Sequence, residues 1–89
     1  MAHFLITYDL IQPGQNYNQL IEEIKNISGI YCSPCLSTWI VRSDLSANEI
    51  TSRLNAIDAT DRLLVIEVTS NWWSFGLRQN NVDWMKAHL

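Results

Sequence analysis

An acidic side chain stands where the first apolar segment of the chain ends. The stretch from His3 to Asp9 is typical of a buried strand, and the turn Gln12-Pro13-Gly14 follows shortly after it. A carboxylate at the end of a strand is held by rigid backbone and can still face solvent, which suits a metal or a reacting phosphate. Asp9 is therefore the first candidate for chemistry. The alternative is structural, because Asp in this position also accepts hydrogen bonds from the amides of the following turn.

The second candidate is the pair of cysteines in Cys32-Ser33-Pro34-Cys35, which have the spacing of thioredoxin-type dithiols. Reactive thiolates of that type lie at a helix N-terminus, whereas the residues after Cys35 are β-branched and aromatic and predict a strand. A zinc site needs four ligands, and only His3 and His88 could add to the pair, unless two copies share the site. We expect two half-buried, reduced thiols in a turn.

Length and charge limit the classes of protein to consider. The chain has 89 residues, of which 47% are hydrophobic and 17% charged, so we expect one domain over residues 1–89. The longest apolar run, Leu63 to Ile66, is far shorter than the roughly 18 residues of a membrane span. Met1 to Ile6 lacks the features of a signal peptide, so a cytoplasmic protein without membrane contact is expected.

Charge and size also bear on partners. The net charge is −3 and the six cations are scattered along the chain, which disfavours strong, general affinity for nucleic acid. A local basic patch that forms on folding stays open. A chain this short buries a small share of its surface and gains from self-association, so a homodimer is expected.

Periodicity and capping residues predict six elements that would position Asp9. The clearest signal is the capping box Ser46-Ala47-Asn48-Glu49 before a helix. The run Leu63-Leu64-Val65-Ile66 predicts a strand that is central or covered on both faces. In chain order, the predicted elements are a strand at 3–10, a helix at 17–27, a hairpin of 30–32 and 37–42 that turns at Ser33-Pro34, a helix from 46 to 57 and a strand at 62–69.

The order β-α-β-β-α-β defines the expected fold class. With short links and right-handed crossovers, it predicts an α+β protein, a ferredoxin-like sandwich with both helices on one face of the sheet. Residues 3–69 form this predicted core.

The last twenty residues, 70–89, form a predicted extension that is rich in aromatic side chains. A short helix is expected from Val82 to His88, with Asn81 as its cap. Aromatic residues at this density pack onto something, either the open face of the same chain or a second copy at a dimer interface. The aromatic residues of the extension are Trp72, Trp73, Phe75 and Trp84.

Several of these segments resemble a known family. They are the strand ending in Tyr8-Asp9-Leu10, the strand Ser37-Thr38-Trp39-Ile40-Val41, the strand from Arg62 to Ile66, and the helices between them. Together they resemble the small CRISPR-associated spacer-acquisition endoribonucleases, and in particular the SinR-like relatives, which also share the Asp83-Trp84 tail. The resemblance covers nearly the whole chain through motifs of a few residues each.

The resemblance implies a ferredoxin-like homodimer in which one aspartate from each first strand binds a divalent metal for phosphodiester cleavage. Carried over by position, Asp9 is the metal ligand, with Mg²⁺ or Mn²⁺ as the cofactor, and Tyr8 is its neighbour in the cleft. Ser37 and Trp39 fall near the family's polar and aromatic positions on the third strand, so Ser37 is a candidate catalytic residue and Trp39 a candidate interface residue. Active relatives tend to carry arginines after the first strand, where this chain has Gln12 to Asn16.

Three hypotheses follow for function, and whether the chain is an enzyme stays open. The first is a metal-dependent endonuclease that acts on RNA or DNA through Asp9 of each protomer. The second is a non-catalytic dimeric adaptor that engages a protein partner through Trp72, Trp73 and Phe75. The third is a nucleic-acid-binding scaffold without chemistry.

Overall fold

The protein is a mixed α+β structure with a four-stranded antiparallel sheet and three helices. The computed structural model describes residues 2–9, 17–55 and 62–89. Within these ranges no helix is long and apolar enough to cross a membrane. The elements are β1 (Ala2–Asp9), α1 (Tyr17–Ile27), β2 (Tyr31–Cys35), β3 (Thr38–Ser43), α2 (Ala47–Asn55), β4 (Arg62–Val68) and α3 (Gln79–His88).

The strands lie in the order β2-β3-β1-β4, so β1 is central and β2 and β4 are the edges. Each neighbouring pair is antiparallel. On the β4 side of β1 the facing residues include Leu5 with Ile66 and Asp9 with Arg62. Because side chains alternate along a strand, this register decides which residues share a face.

One face of the sheet, here called the helix face, packs against α1 and α2. Apolar side chains at alternate positions of β1 and β3 meet the stripes of the two helices and form the main core. This arrangement holds the two central strands rigidly. The buried members of the core are Phe4, Ile6, Tyr8, Leu20, Ile24, Trp39, Val41, Ile50 and Leu54.

The opposite face, here called the second face, is only partly covered. Met85 of α3 packs on Cys32 and Ile40, with Trp72 and Trp84 against this smaller cluster. Towards the β4 edge, the side chains of Leu64 and Ile66 are 54% and 50% exposed. Together with the half-buried Leu5, which pairs with Ile66, they form what is here called the uncovered strip of the second face.

The structure confirms two of the predicted helical features. Helix α1 runs from Tyr17 to Ile27, as its periodicity predicts. At the start of α2 the capping box is formed in both directions. The Glu49 amide donates to the Ser46 Oγ at 3.1 Å, and the Ser46 amide donates to the Glu49 Oε1 at 3.1 Å. The predicted end of α2 near Ile57 and the turn after Asp9 lie outside the described residues.

The hairpin turns later than predicted. Ser33 and Pro34 belong to β2, and the turn is at Leu36 and Ser37, where Ser37 adopts a positive φ of 57°. Pro34 is tolerated because β2 is an edge strand and its register shifts between Cys32 and Cys35. The cysteines therefore lie in a strand rather than a turn, with Cys32 buried and Cys35 exposed.

Two further expectations were wrong. Strand β4 is an edge strand whose second face is only partly covered, since Val68 packs against the Met85 cluster while Leu64 and Ile66 are half exposed. Helix α3 starts at Gln79 with Arg78 as its N-cap, so Asn81 lies inside the helix and does not cap it. A run of apolar residues in the sequence does not show how much of a sheet face is covered by other parts of the chain.

Candidate metal and phosphate site

Asp9 is the last residue of β1, and its side chain lies on the second face, 65% exposed. Its cross-strand neighbour is Arg62, the first residue of β4. The Arg62 Nη1 lies 3.7 Å from the Asp9 Oδ2. Both groups are largely solvated, so this ion pair contributes little to stability and leaves the carboxylate accessible.

A small groove of about 190 Å³ surrounds this pair. Thr7 lies two residues before Asp9 on the same face, and its hydroxyl is 3.4 Å from that of Thr38. The groove therefore combines a carboxylate, a guanidinium and the threonine Thr7. An arginine beside a carboxylate can bind a phosphate group, while the carboxylate is a ligand for hard divalent cations.

Sequence reasoning missed Arg62. The sequence contained enough information to find it. When the first and last strands of a sheet pair in antiparallel fashion, the end of the first strand lies beside the start of the last. With Asp9 at the end of β1, the first residue of β4 is then its neighbour. Residues 10–16 contain no Lys or Arg, whereas the first residue of β4 places a cation beside Asp9.

Tyr8 does not share the surface of Asp9. It points to the helix face, where it is buried in the core, since neighbouring side chains of a strand alternate. Its hydroxyl accepts a hydrogen bond of 3.2 Å from the Trp39 Nε1, and Trp39 is buried in the same core. Tyr8 thus borders the Asp9 groove, but its side chain and that of Trp39 lie in the core on the opposite face of the sheet.

Ser37 lies in the turn before β3 and is half-buried. Its carbonyl accepts a hydrogen bond of 3.2 Å from the Tyr8 amide. This contact ties the hairpin turn to the end of β1 through backbone. It positions the strand end that carries Asp9.

The aromatic residues of the C-terminal segment fall into two groups. Trp72 and Trp84 pack within the chain, on the cluster around Met85. Trp73 and Phe75 are 96% and 100% exposed in the segment between β4 and α3. The second group offers the more exposed apolar surface to another molecule.

Asp9 is the one acidic residue among the described residues that line its groove. No group of three or more His, Cys, Asp or Glu side chains that could hold an ion occurs among residues 2–9, 17–55 and 62–89. Mg²⁺ requires less, since it keeps several waters and takes one or two carboxylates. Asp9 supplies one such carboxylate, exposed at the end of β1.

The cysteines offer no competing metal centre within the described residues. Burial raises the pKa of the Cys32 thiol to about 11, so this thiol stays protonated at neutral pH. A protonated, buried thiol is a poor nucleophile and a poor ligand.

Comparison with known proteins gives no family. No protein-family model, no curated protein and no solved structure matches this chain.

Proposed function

We propose that this protein is a homodimeric, metal-dependent endonuclease that cleaves RNA or DNA with Asp9 of both protomers. The observation that carries the proposal is the shared face of Asp9 and the uncovered strip. Asp9, Leu64 and Ile66 lie on the same side of the sheet, and the described residues leave that side half exposed near β4. A surface of this kind favours packing against a second copy.

A twofold axis through the uncovered strip would bring two Asp9 side chains together. In a twofold interface the same patch of each subunit meets its counterpart, so a residue beside the axis is paired with itself. Leu64 and Asp9 line one small groove, which puts the carboxylate beside the apolar contact. The partner copy then supplies the second carboxylate, so the chain itself needs only one acidic residue at this site.

The topology supports the resemblance to the CRISPR-associated, SinR-like proteins. Two β-α-β units follow each other along the chain, and the strand order β2-β3-β1-β4 is the one that a ferredoxin-like arrangement requires. Both α1 and α2 pack on the helix face, as in that arrangement. The family's paired aspartates correspond to Asp9.

Within the proposed site, each described residue has a separate task. The two Asp9 carboxylates hold Mg²⁺ or Mn²⁺, and Arg62 binds a phosphate oxygen of the substrate. When bound, such a cation supplies activation of water and neutralises charge on the phosphate. The hydrogen bonds of Tyr8 and Ser37 keep the strand end in place.

The test compares nuclease activity of the wild type with that of Asp9→Asn, on labelled RNA and DNA with Mg²⁺ or Mn²⁺. Asn keeps the shape of the side chain and removes its charge, so we expect a loss of cleavage of at least about a hundredfold, of the size seen when a key electrostatic group is removed. The matched control is Asp44→Asn, because Asp44 is exposed beyond the end of β3, at the opposite end of β1 from Asp9. Asp44→Asn should cleave like the wild type.

Equal activity of Asp9→Asn and wild type would reject the proposal. So would a wild type that cleaves neither RNA nor DNA with either metal. Chelation with EDTA should abolish cleavage reversibly.

A second candidate function is a non-catalytic adaptor, and the exposure of Trp73 and Phe75 favours it. Together these side chains offer about 300–500 Å² of surface, a large part of the roughly 800 Å² per partner in a standard interface. If this role is correct, the double variant Trp73→Ser, Phe75→Ser should fold like the wild type but should no longer bind a purified protein partner. Retained binding by this variant would exclude the adaptor role for the aromatic segment.

A further inference from the structure

A groove of about 760 Å³ runs along the outer edge of β2, away from Asp9. It extends over both faces of the sheet edge. Tyr31 lies on the helix face, since it pairs with Val41 of the main core. Trp84 belongs to α3, which packs on the second face. Each side of the groove presents an aromatic ring and a cation.

On the helix face, the cation is Lys25 at the end of α1. Its Nζ lies 5.9 Å from the centroid of the Tyr31 ring and 6.0 Å from that of Trp39. Tyr31 is half-buried and lines the groove. A ligand that enters here meets a positive charge beside a ring.

On the second face, the cation is Arg78, which is exposed at the start of α3. Asn80 and the half-buried Trp84 line the groove near it, and the Trp84 ring stacks on His88 with a centroid distance of 4.2 Å. Neither Arg78 nor Lys25 takes part in an ion pair within the described part of the chain. Both cations are therefore available to an anionic ligand.

The charge of the groove differs from that of the chain. The chain has nine acidic and six basic residues, yet the described residues that line this groove include two cations and no Asp or Glu. A surface of this kind attracts anions, although the net charge of the whole protein is negative.

An added peptide strand fits this edge poorly. Pro34 has no amide hydrogen to donate, and the register of β2 shifts between Cys32 and Cys35. A ligand that uses phosphates and flat rings rather than backbone pairing suits the edge better.

We propose that this groove binds a segment of single-stranded nucleic acid that crosses the β2 edge. Its phosphates contact Lys25 on one face and Arg78 on the other, and its bases lie against the rings of Tyr31 and Trp84. Proteins that bind single strands without sequence preference combine cations that contact the phosphates with aromatic rings on which the bases stack. The proposal concerns binding alone and does not rest on cleavage at Asp9.

The experiment measures binding of fluorescent oligouridylate and oligothymidylate by anisotropy, in EDTA, over a series of salt concentrations. For single strands, a plot of the logarithm of the association constant against the logarithm of the salt concentration has a slope of about −0.7 for each phosphate contact. We expect Lys25→Gln and Arg78→Gln each to reduce that slope by about 0.7. Lys86→Gln is the matched control on α3, since Lys86 is exposed and does not line this groove.

Three results would overturn the proposal. The first is no binding of either oligonucleotide at low salt. The second is binding whose salt slope is the same in the wild type and in both variants. The third is displacement of the oligonucleotide by polyglutamate at equal charge concentration, which would mean that the groove attracts any polyanion. Because EDTA removes divalent metal, none of these results depends on nuclease activity.

Discussion

At the scale of the residue, the face of the sheet on which a side chain lies decides what it can do. Asp9 and Tyr8 are neighbours in sequence, yet one is exposed on the second face and the other is buried in the core. His3, also on the second face, lies under α3, where its ring meets the edge of Trp84 at a centroid distance of 6.5 Å. Its Nε2 is buried and has no hydrogen-bond partner among the described residues.

This environment makes stability depend on pH. Burial, then the charges of Arg42, His88 and the N-terminus, lower the pKa of His3 below its usual 6.5. Above pH 6.5 both the folded and the unfolded states hold a neutral His3, so it contributes no pH dependence. As the pH falls through 6.5 the unfolded state takes up the proton first, so the free energy of unfolding decreases.

Urea titrations of wild type and His3→Gln at a series of pH values measure the effect. We expect a smaller decrease of the unfolding free energy on acidification in His3→Gln than in the wild type. Identical pH dependence in the two proteins would show that His3 is solvated in the folded state.

At the scale of the element, local signals determine where α2 begins. Ser46 and Glu49 exchange hydrogen bonds with each other's amides, and Leu45 packs against the main core beside them. These contacts satisfy amides that the first turn of a helix leaves without partners.

The variant Ser46→Ala should lower the free energy of unfolding by about 1 kcal/mol, the usual cost of losing an N-cap. The matched control is Ser52→Ala, at an exposed position inside the same helix. It should be neutral or slightly stabilising, because alanine favours helix. Thermal or urea unfolding measures both, and equal losses in the two variants would contradict the role of the cap.

The types of the elements and their order along the chain could be predicted from the sequence, because periodicity and caps are local. Features that depend on distant residues could not. The position of the hairpin turn depends on Pro34 lying in an edge strand, and the exposure of Leu64 depends on where α3 packs. Of the candidate site, Asp9 was predicted from its strand end. Its ion pair with Arg62 required the register of β1 with β4.

At the scale of the whole molecule, the second face is where we expect a second copy to pack. In its uncovered strip, Leu64 and Ile66 are 54% and 50% exposed and Leu5 is half-buried. Ile66 is half exposed on an edge strand, so a charge there is compatible with the folded monomer.

The variant Ile66→Glu should therefore convert the proposed dimer to a monomer, because two charges would meet across the twofold axis. Light scattering coupled to size-exclusion chromatography measures the mass. Leu36→Glu is the control, since Leu36 is 90% exposed in the β2–β3 turn, away from the strip. A wild type that is monomeric, or a dimer that survives Ile66→Glu, would contradict this interface.

The central claim is that two Asp9 side chains share one divalent cation, and the stoichiometry of Mn²⁺ binding tests it most directly. Calorimetric titration of the wild type should give one Mn²⁺ for every two chains, and Asp9→Asn should bind none. One Mn²⁺ per chain, no binding to the wild type, or undiminished binding to Asp9→Asn would contradict the account.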